Sequence, residues 1–94
     1  MRRGHAVERL IYNCRSKGYT IQEMTKDDVP LLAIKIQPTN VGENTITCAD
    51  SDRINVETMV NQVAYEYGLT PDMKGPELAA GGIYVAWITL DDKM

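Results

Sequence analysis

Three kinds of residue in this chain could do chemistry: its single histidine, its two cysteines and its paired acids. His5 is the only histidine, and imidazole is the side chain best suited to acid–base catalysis near neutral pH. Its place close to the first residue favours a solvated residue in the first turn of a helix over a catalytic base.

Cys14 and Cys48 could act as nucleophiles only if their pKa values were lowered. Cys14 lies on the apolar stripe of a predicted helix, in its C-terminal half, where the helix dipole disfavours a thiolate. Cys48 has the same inward periodicity as Ile46 in a predicted strand. We therefore predict that both are buried and pack as small hydrophobic residues. The pair also lacks the short spacing and the histidine partners of a zinc site.

The acids and glycines match no metal or phosphate motif. Residues 50–52, Asp-Ser-Asp, resemble the start of a calcium loop, but the sixth position is Asn55 rather than Gly and the twelfth is Asn61 rather than Glu. Gly81 and Gly82 precede a predicted strand, whereas a phosphate-binding loop precedes a helix. The sequence therefore predicts no enzyme, no metal and no cofactor.

Four residues outside the apolar stripes are the candidates for contact with a partner. Arg9, Tyr12 and Arg15 follow one another at i, i+3 and i+6 on the first helix, and Tyr65 lies off the stripe of the second. Tyr and Arg are enriched in interface hot spots, and a guanidinium can stack on a Tyr ring. Two other interpretations stay open: an ordinary solvated helix face, and a Tyr65 that shields the rim of a sheet.

Two amphipathic helices must position these residues. Residues 5–17 place Val7, Leu10 and Cys14 on one face, and Gly18 suits the position just after the helix. Residues 55–67 carry a second stripe, with Asn55 as the predicted N-cap, Ile54 and Met59 as a hydrophobic staple, and Gly68 as the end.

Four strands are predicted around the helices. Residues 19–25, 31–37 and 45–49 form an antiparallel meander, in which residues 31–37 alternate most clearly. Residues 69–82 are predicted as a long loop with one helical turn at 76–80, because they contain Pro71, Pro76 and several glycines. Residues 83–90 form the last strand. It is apolar on both faces, with Trp87 as a core residue, so it is either central or covered by a partner.

The resulting order, α-β-β-β-α-β, predicts a single α+β domain over residues 1–94. Its fold is a two-layer sandwich in which two helices pack on one face of an antiparallel meander. The 94 residues include 10 basic and 13 acidic side chains and are 44% apolar, which is typical of a soluble globular domain. The sequence shows no export signal and no apolar run long enough for a membrane span, so we expect the cytoplasm.

The charge is unevenly distributed along the chain. Residues 1–20 hold five basic side chains and one acidic, while residues 21–94 hold five basic and twelve acidic. A basic segment on an acidic body can bind a polyanion, its own body or a second copy.

We expect a non-enzymatic protein-binding module that acts stoichiometrically as a regulator or inhibitor of a larger complex. Small acidic domains of this kind occur among phage accessory proteins that block host or defence machinery. The alternative is a nucleic-acid-binding domain that uses the basic first helix. An enzyme assembled across a homodimer, from His5 and the 69–82 loop, is a third hypothesis. A homodimer through the final strand is compatible with each of them.

Overall fold

The computed structural model describes residues 2–42 and 45–92. Two helices and four long strands form the body of the protein, and two short strands form a separate hairpin. The elements in chain order are α1 (Arg2–Ser16), β1 (Thr20–Lys26), β2 (Val29–Ile36), β3 (Thr39–Gly42), β4 (Thr45–Thr47), α2 (Asp50–Tyr67), β5 (Leu69–Leu78) and β6 (Tyr84–Asp92).

The main sheet has the strand order β1-β2-β6-β5, and all three strand pairs are antiparallel. Both helices pack on one face of this sheet, so the predicted α+β class and the placing of the helices are confirmed. The core contains alternate residues of the two central strands, including Leu32, Ile34 and Ile88, together with the stripes of both helices. Because side chains alternate along a strand, the residues between these core residues lie on the opposite face of the sheet.

Helix α1 forms as its stripe predicts, because Val7, Leu10 and Cys14 are all buried. Its end is a Schellman arrangement. The Tyr19 N–H donates to the Cys14 carbonyl at 2.9 Å, and the Gly18 N–H donates to the Arg15 carbonyl at 3.0 Å. Gly18 has a φ of 84°, a conformation that glycine adopts without a Cβ clash. The predicted role of Gly18 is therefore confirmed.

Helix α2 begins five residues earlier than predicted, so the assignment of Asn55 as the N-cap is wrong. Ala49 is the N-cap, without a side-chain hydrogen bond, and its carbonyl accepts the first helical bond from Arg53 at 3.1 Å. Asp50 and Asp52 lie in the first turn, where their carboxylates interact favourably with the positive end of the helix dipole. Ile54 is 60% exposed, so it does not form a staple over the helix start. The end at Gly68 is confirmed, with a φ of 66°.

The predicted loop at 69–82 is wrong over most of its length, because Leu69–Leu78 is strand β5, paired with β6. Its prolines are tolerated because β5 is an edge strand, where a missing N–H need not break a ladder. The register shifts between Lys74 and Glu77, which leaves Gly75 and Pro76 as a bulge. No helical turn forms at 76–80.

The third strand of the predicted meander is also corrected. Thr45–Thr47 forms β4, but it pairs with β3 in the separate hairpin instead of extending the main sheet. The main sheet and its helices therefore follow the order α-β-β-α-β-β. Strand β6 is central, because β5 pairs with it from Tyr84 to Asp92 and β2 pairs with it from Tyr84 to Ile88. Over Tyr84–Ile88, therefore, neither edge of β6 is free to pair with a strand of a second copy.

Gly75 makes a testable contribution to this fold. A Cβ at Gly75 would lie 2.8 Å from the Val85 carbonyl oxygen, at a φ of 92°, whereas a Cβ at Gly81 would meet nothing within 4 Å, at a φ of 86°. We expect Gly81→Ala to cost about 1–2 kcal/mol from the positive φ alone. Gly75→Ala should cost about 1–3 kcal/mol more, because β5 must move away from β6. Urea unfolding followed by circular dichroism measures the difference. Equal losses would contradict close backbone packing at the bulge.

Candidate functional site

The nucleophile candidates are buried in the core, as predicted. Cys14 and Cys48 are both free and buried. Burial raises the pKa of the Cys14 thiol to about 12, and burial is also the main reason why the pKa of Cys48 is raised. A thiolate is therefore disfavoured at both positions. His5 is exposed in the first turn of α1. Within residues 2–42 and 45–92, no group of three or more His, Cys, Asp or Glu side chains is placed to hold a metal ion.

Asp52, the second acid of the calcium-like stretch, has a structural contact. The Tyr19 hydroxyl donates a hydrogen bond to Asp52 Oδ1 at 2.7 Å and accepts one from Asn55 Nδ2 at 3.4 Å. Burial raises the pKa of Tyr19, and the hydrogen bond to Asp52 raises it further. These bonds join the segment before β1 to the first turns of α2, so they fix the position of α2 relative to the sheet.

Tyr12 is the only tyrosine of α1, and it is exposed. Its side chain is 66% exposed, and the Arg9 guanidinium carbon lies 5.7 Å from the centroid of its ring. This distance is within the range of a cation–π contact, which contributes about 0.5–1 kcal/mol at an exposed site. The contact holds Arg9 and Tyr12 together as one feature on the side of α1 that faces away from the sheet.

A shallow groove of about 270 Å³ runs between the two helices and links this feature to α2. Arg9 lines it from α1, and Gln62 and Glu66 line it from α2. Gln62 and Glu66 also border a hollow beside Tyr65, whose side chain is 89% exposed. We call this surface, made of Arg9, Tyr12, Gln62, Tyr65 and Glu66, the outer helix face.

Three of the four predicted contact residues thus belong to the outer helix face, and the fourth, Arg15, lies beside Tyr12 at its margin. Arg15 is exposed, but six residues of helix place it about 120° around the axis from Arg9, on the flank of α1 away from the groove. Tyr65 does not shield the rim of the sheet, because its ring is almost fully exposed on α2. Ile54 is a further exposed apolar residue of α2 that sequence reasoning assigned to a staple.

The second surface of interest is the sheet face that the helices leave uncovered, here called the open sheet face. Trp87 lies on it and is half-buried, so its prediction as a core residue is wrong. The face contains a hollow of about 590 Å³. The residues that line this hollow are Lys26, Asp27, Val29, Leu31, Asp72, Lys74, Glu77, Trp87 and Thr89.

The sequence contained a signal for this surface. Ala86, Ile88 and Leu90 belong to the core under the helices, so the period of two directs Trp87 and Thr89 to the other side. From its sequence alone, an apolar strand with one covered face cannot be distinguished from a strand that is buried on both faces. The number of helices and the face on which they pack decide between the two.

No protein-family model, curated protein or solved structure matches the chain. Neither of the two helices in the part of the chain that the structure describes is long and apolar enough to cross a membrane.

Thiol labelling tests the burial of the cysteines. In the native protein at neutral pH, we expect Cys14 and Cys48 to react slowly with a thiol reagent, because burial and raised pKa values limit access and thiolate content. Both should react quickly in urea. The matched control is Ser16→Cys, which adds an exposed thiol to the same helix as Cys14. Native labelling of Cys14 as fast as that of the control would contradict the structure.

Proposed function

We propose that the protein is a non-enzymatic protein-binding module that acts by stoichiometric contact, as a regulator or inhibitor of a larger complex. The outer helix face is its contact surface. The observation that carries this proposal is the exposure of Tyr12 and Tyr65, at 66% and 89%, on the same side of the helix layer.

Neither tyrosine is needed to form the core. The buried residues of α1 and α2 lie on the opposite sides of the helices, and they anchor both helices to the sheet. The two rings are therefore held on a rigid support without being used for folding. A Tyr side chain offers a large contact area and a hydroxyl at a small entropic cost, because it has only two side-chain torsions. These properties favour a preformed binding surface.

The groove carries charges of both signs, which suits a protein partner. Arg9 and Lys17 line the groove from the α1 side, and Glu66 lines it from α2. A phosphate backbone placed along the groove would be attracted by Arg9 and Lys17 and repelled by Glu66. A protein can place a carboxylate against Arg9 and a donor against Glu66. Nucleic-acid binding through Arg9, Arg15 and Lys17 is the competing function that the experiment must separate.

The experiment compares capture of partners by tagged variants from an extract of the cells in which the protein occurs. We expect the double variant Tyr12→Ala, Tyr65→Ala to lose a partner that the unmodified chain binds in fixed stoichiometry. Two hot-spot tyrosines contribute about 1–2 kcal/mol each, so the affinity should fall by roughly 30- to 700-fold. Leu78→Ala is the matched control, because Leu78 is 64% exposed on β5, outside the outer helix face.

Two results would contradict the proposal. In one, the double variant binds the partner as well as the control does, so that the outer helix face is not the contact surface. In the other, the captured material is nucleic acid whose binding weakens steeply with added salt and depends on Arg9, Arg15 and Lys17.

A further inference from the structure

The open sheet face combines a half-buried aromatic ring, that of Trp87, with a hollow beside it. Trp87 pairs with Ala33 on β2 and with Lys74 on β5. The next residue of β6 on the same face is Thr89, which pairs with Asp72. The hollow lies beside this smaller side chain, and Leu31 lines it from β2. A large ring and a space that could receive one are therefore neighbours on the same strand.

We propose that this face is covered by a second copy of the chain, related by a twofold axis that runs across the strands between Trp87 and Thr89. A rotation about this axis exchanges the position of Trp87 with that of Thr89. Each indole ring then enters the hollow beside the partner's Thr89. The contact is isologous, which is the commonest solution for a dimer. It does not depend on the proposed function, because the outer helix face lies on the opposite side of the molecule.

The charges on β5 fit the same symmetry. Lys74 and Asp72 lie on β5 beside Trp87 and Thr89, and both line the hollow. The rotation that exchanges Trp87 with Thr89 also exchanges Lys74 with Asp72. Each Lys74 therefore faces the partner's Asp72, and two equivalent ion pairs flank the indole rings.

A twofold axis along the strands is the main geometric alternative. It would bring Lys35, which is on β2, towards the partner's Glu77, which is on β5. It would also superimpose the two hollows and leave them unfilled, with each Trp87 over the partner's Trp87. Each axis brings a lysine onto a carboxylate, so ion pairing does not decide between them, whereas an unfilled space removes the packing contacts of every residue around it. The axis across the strands is favoured for this reason.

The size of the face sets the expected strength of the dimer. Four strands about 4.8 Å apart and seven residues long cover roughly 20 by 23 Å, or about 450 Å² for each copy. A standard stable interface buries about 800 Å² for each partner. We therefore expect a reversible dimer with a Kd of roughly 1–100 μM.

Sedimentation velocity and intrinsic fluorescence over a range of concentrations test for this dimer. Trp87 is the only tryptophan, so the emission reports directly on the open sheet face. We expect the emission to move to shorter wavelength as the sedimentation coefficient rises from monomer to dimer, because the ring leaves water. A chain that stays monomeric up to roughly 1 mM would overturn the proposal.

Charge reversal assigns the dimer to this surface and this axis. Lys74→Glu and Asp72→Lys should each weaken dimerisation by roughly 10- to 100-fold, because both equivalent ion pairs become repulsive. An equimolar mixture of the two variants should form a heterodimer about as strong as the original dimer, because both of its pairs are again of opposite charge. Restored assembly from two impaired chains cannot come from misfolding.

Lys35→Glu is the matched control, since it makes the same change of charge on the same face without breaking a proposed ion pair. It should not weaken the dimer. A loss as large as that of Lys74→Glu would favour the axis along the strands and overturn the proposed geometry.

A dimer insensitive to both reversals, at Lys74 and at Asp72, would overturn the proposal and point to another surface, such as the edge of β1. A monomer that needs Lys74 to capture a different protein would also overturn the proposal.

Discussion

Burial of one face of β2 and β6 beneath two helices is the interaction on which the rest of the structure depends. Leu32 and Ile34 on β2 and Ala86 and Ile88 on β6 are almost completely buried. Apolar burial contributes roughly 25 cal/mol for each Å² removed from water, so this layer is a main source of stability for the part of the chain that the structure describes. Both helices turn their stripes towards it. The surfaces available for binding are the sides of the helices and of the sheet that are not buried in this layer.

The two candidate surfaces follow from the periods of their elements. A strand alternates between its faces, so the residues that place Ala86 and Ile88 under the helices place Trp87 on the open side. A helix repeats every 3.6 residues, so Tyr12 and Tyr65 lie away from the stripes that anchor α1 and α2. The exposure of these aromatic residues is a consequence of the core, and it required no additional structural element.

Local periodicity explains which parts of the fold could be predicted. The helices, β2 and β6 have clear apolar patterns, and both helix ends were found from Gly18 and Gly68. Strand β5 was missed because its prolines and Gly75 are strong turn signals, whereas its pairing with β6 is a contact between distant segments. The start of α2 was placed at Asn55 because Ala49 has no side chain that could signal a cap. The exposure of Tyr12 and Tyr65 could be predicted from their positions outside the apolar stripes. The groove between Arg9 and Glu66 could not, because it depends on how the two helices pack against each other.

The layer order relates the two proposed surfaces to each other. Two copies packed through their open sheet faces would carry their helix layers on the outside, because each sheet separates its helices from the contact. With about 10 Å between layers, the two outer helix faces would lie roughly 40 Å apart and point in opposite directions. Such a dimer could not place both faces on one flat surface of a partner. It would instead bridge two separate copies of a partner, so each chain would bind one partner molecule, and the stoichiometry would be two to two. Dimerisation would then change how partner molecules are connected without changing the affinity of either site, because no residue of the outer helix face takes part in the sheet contact.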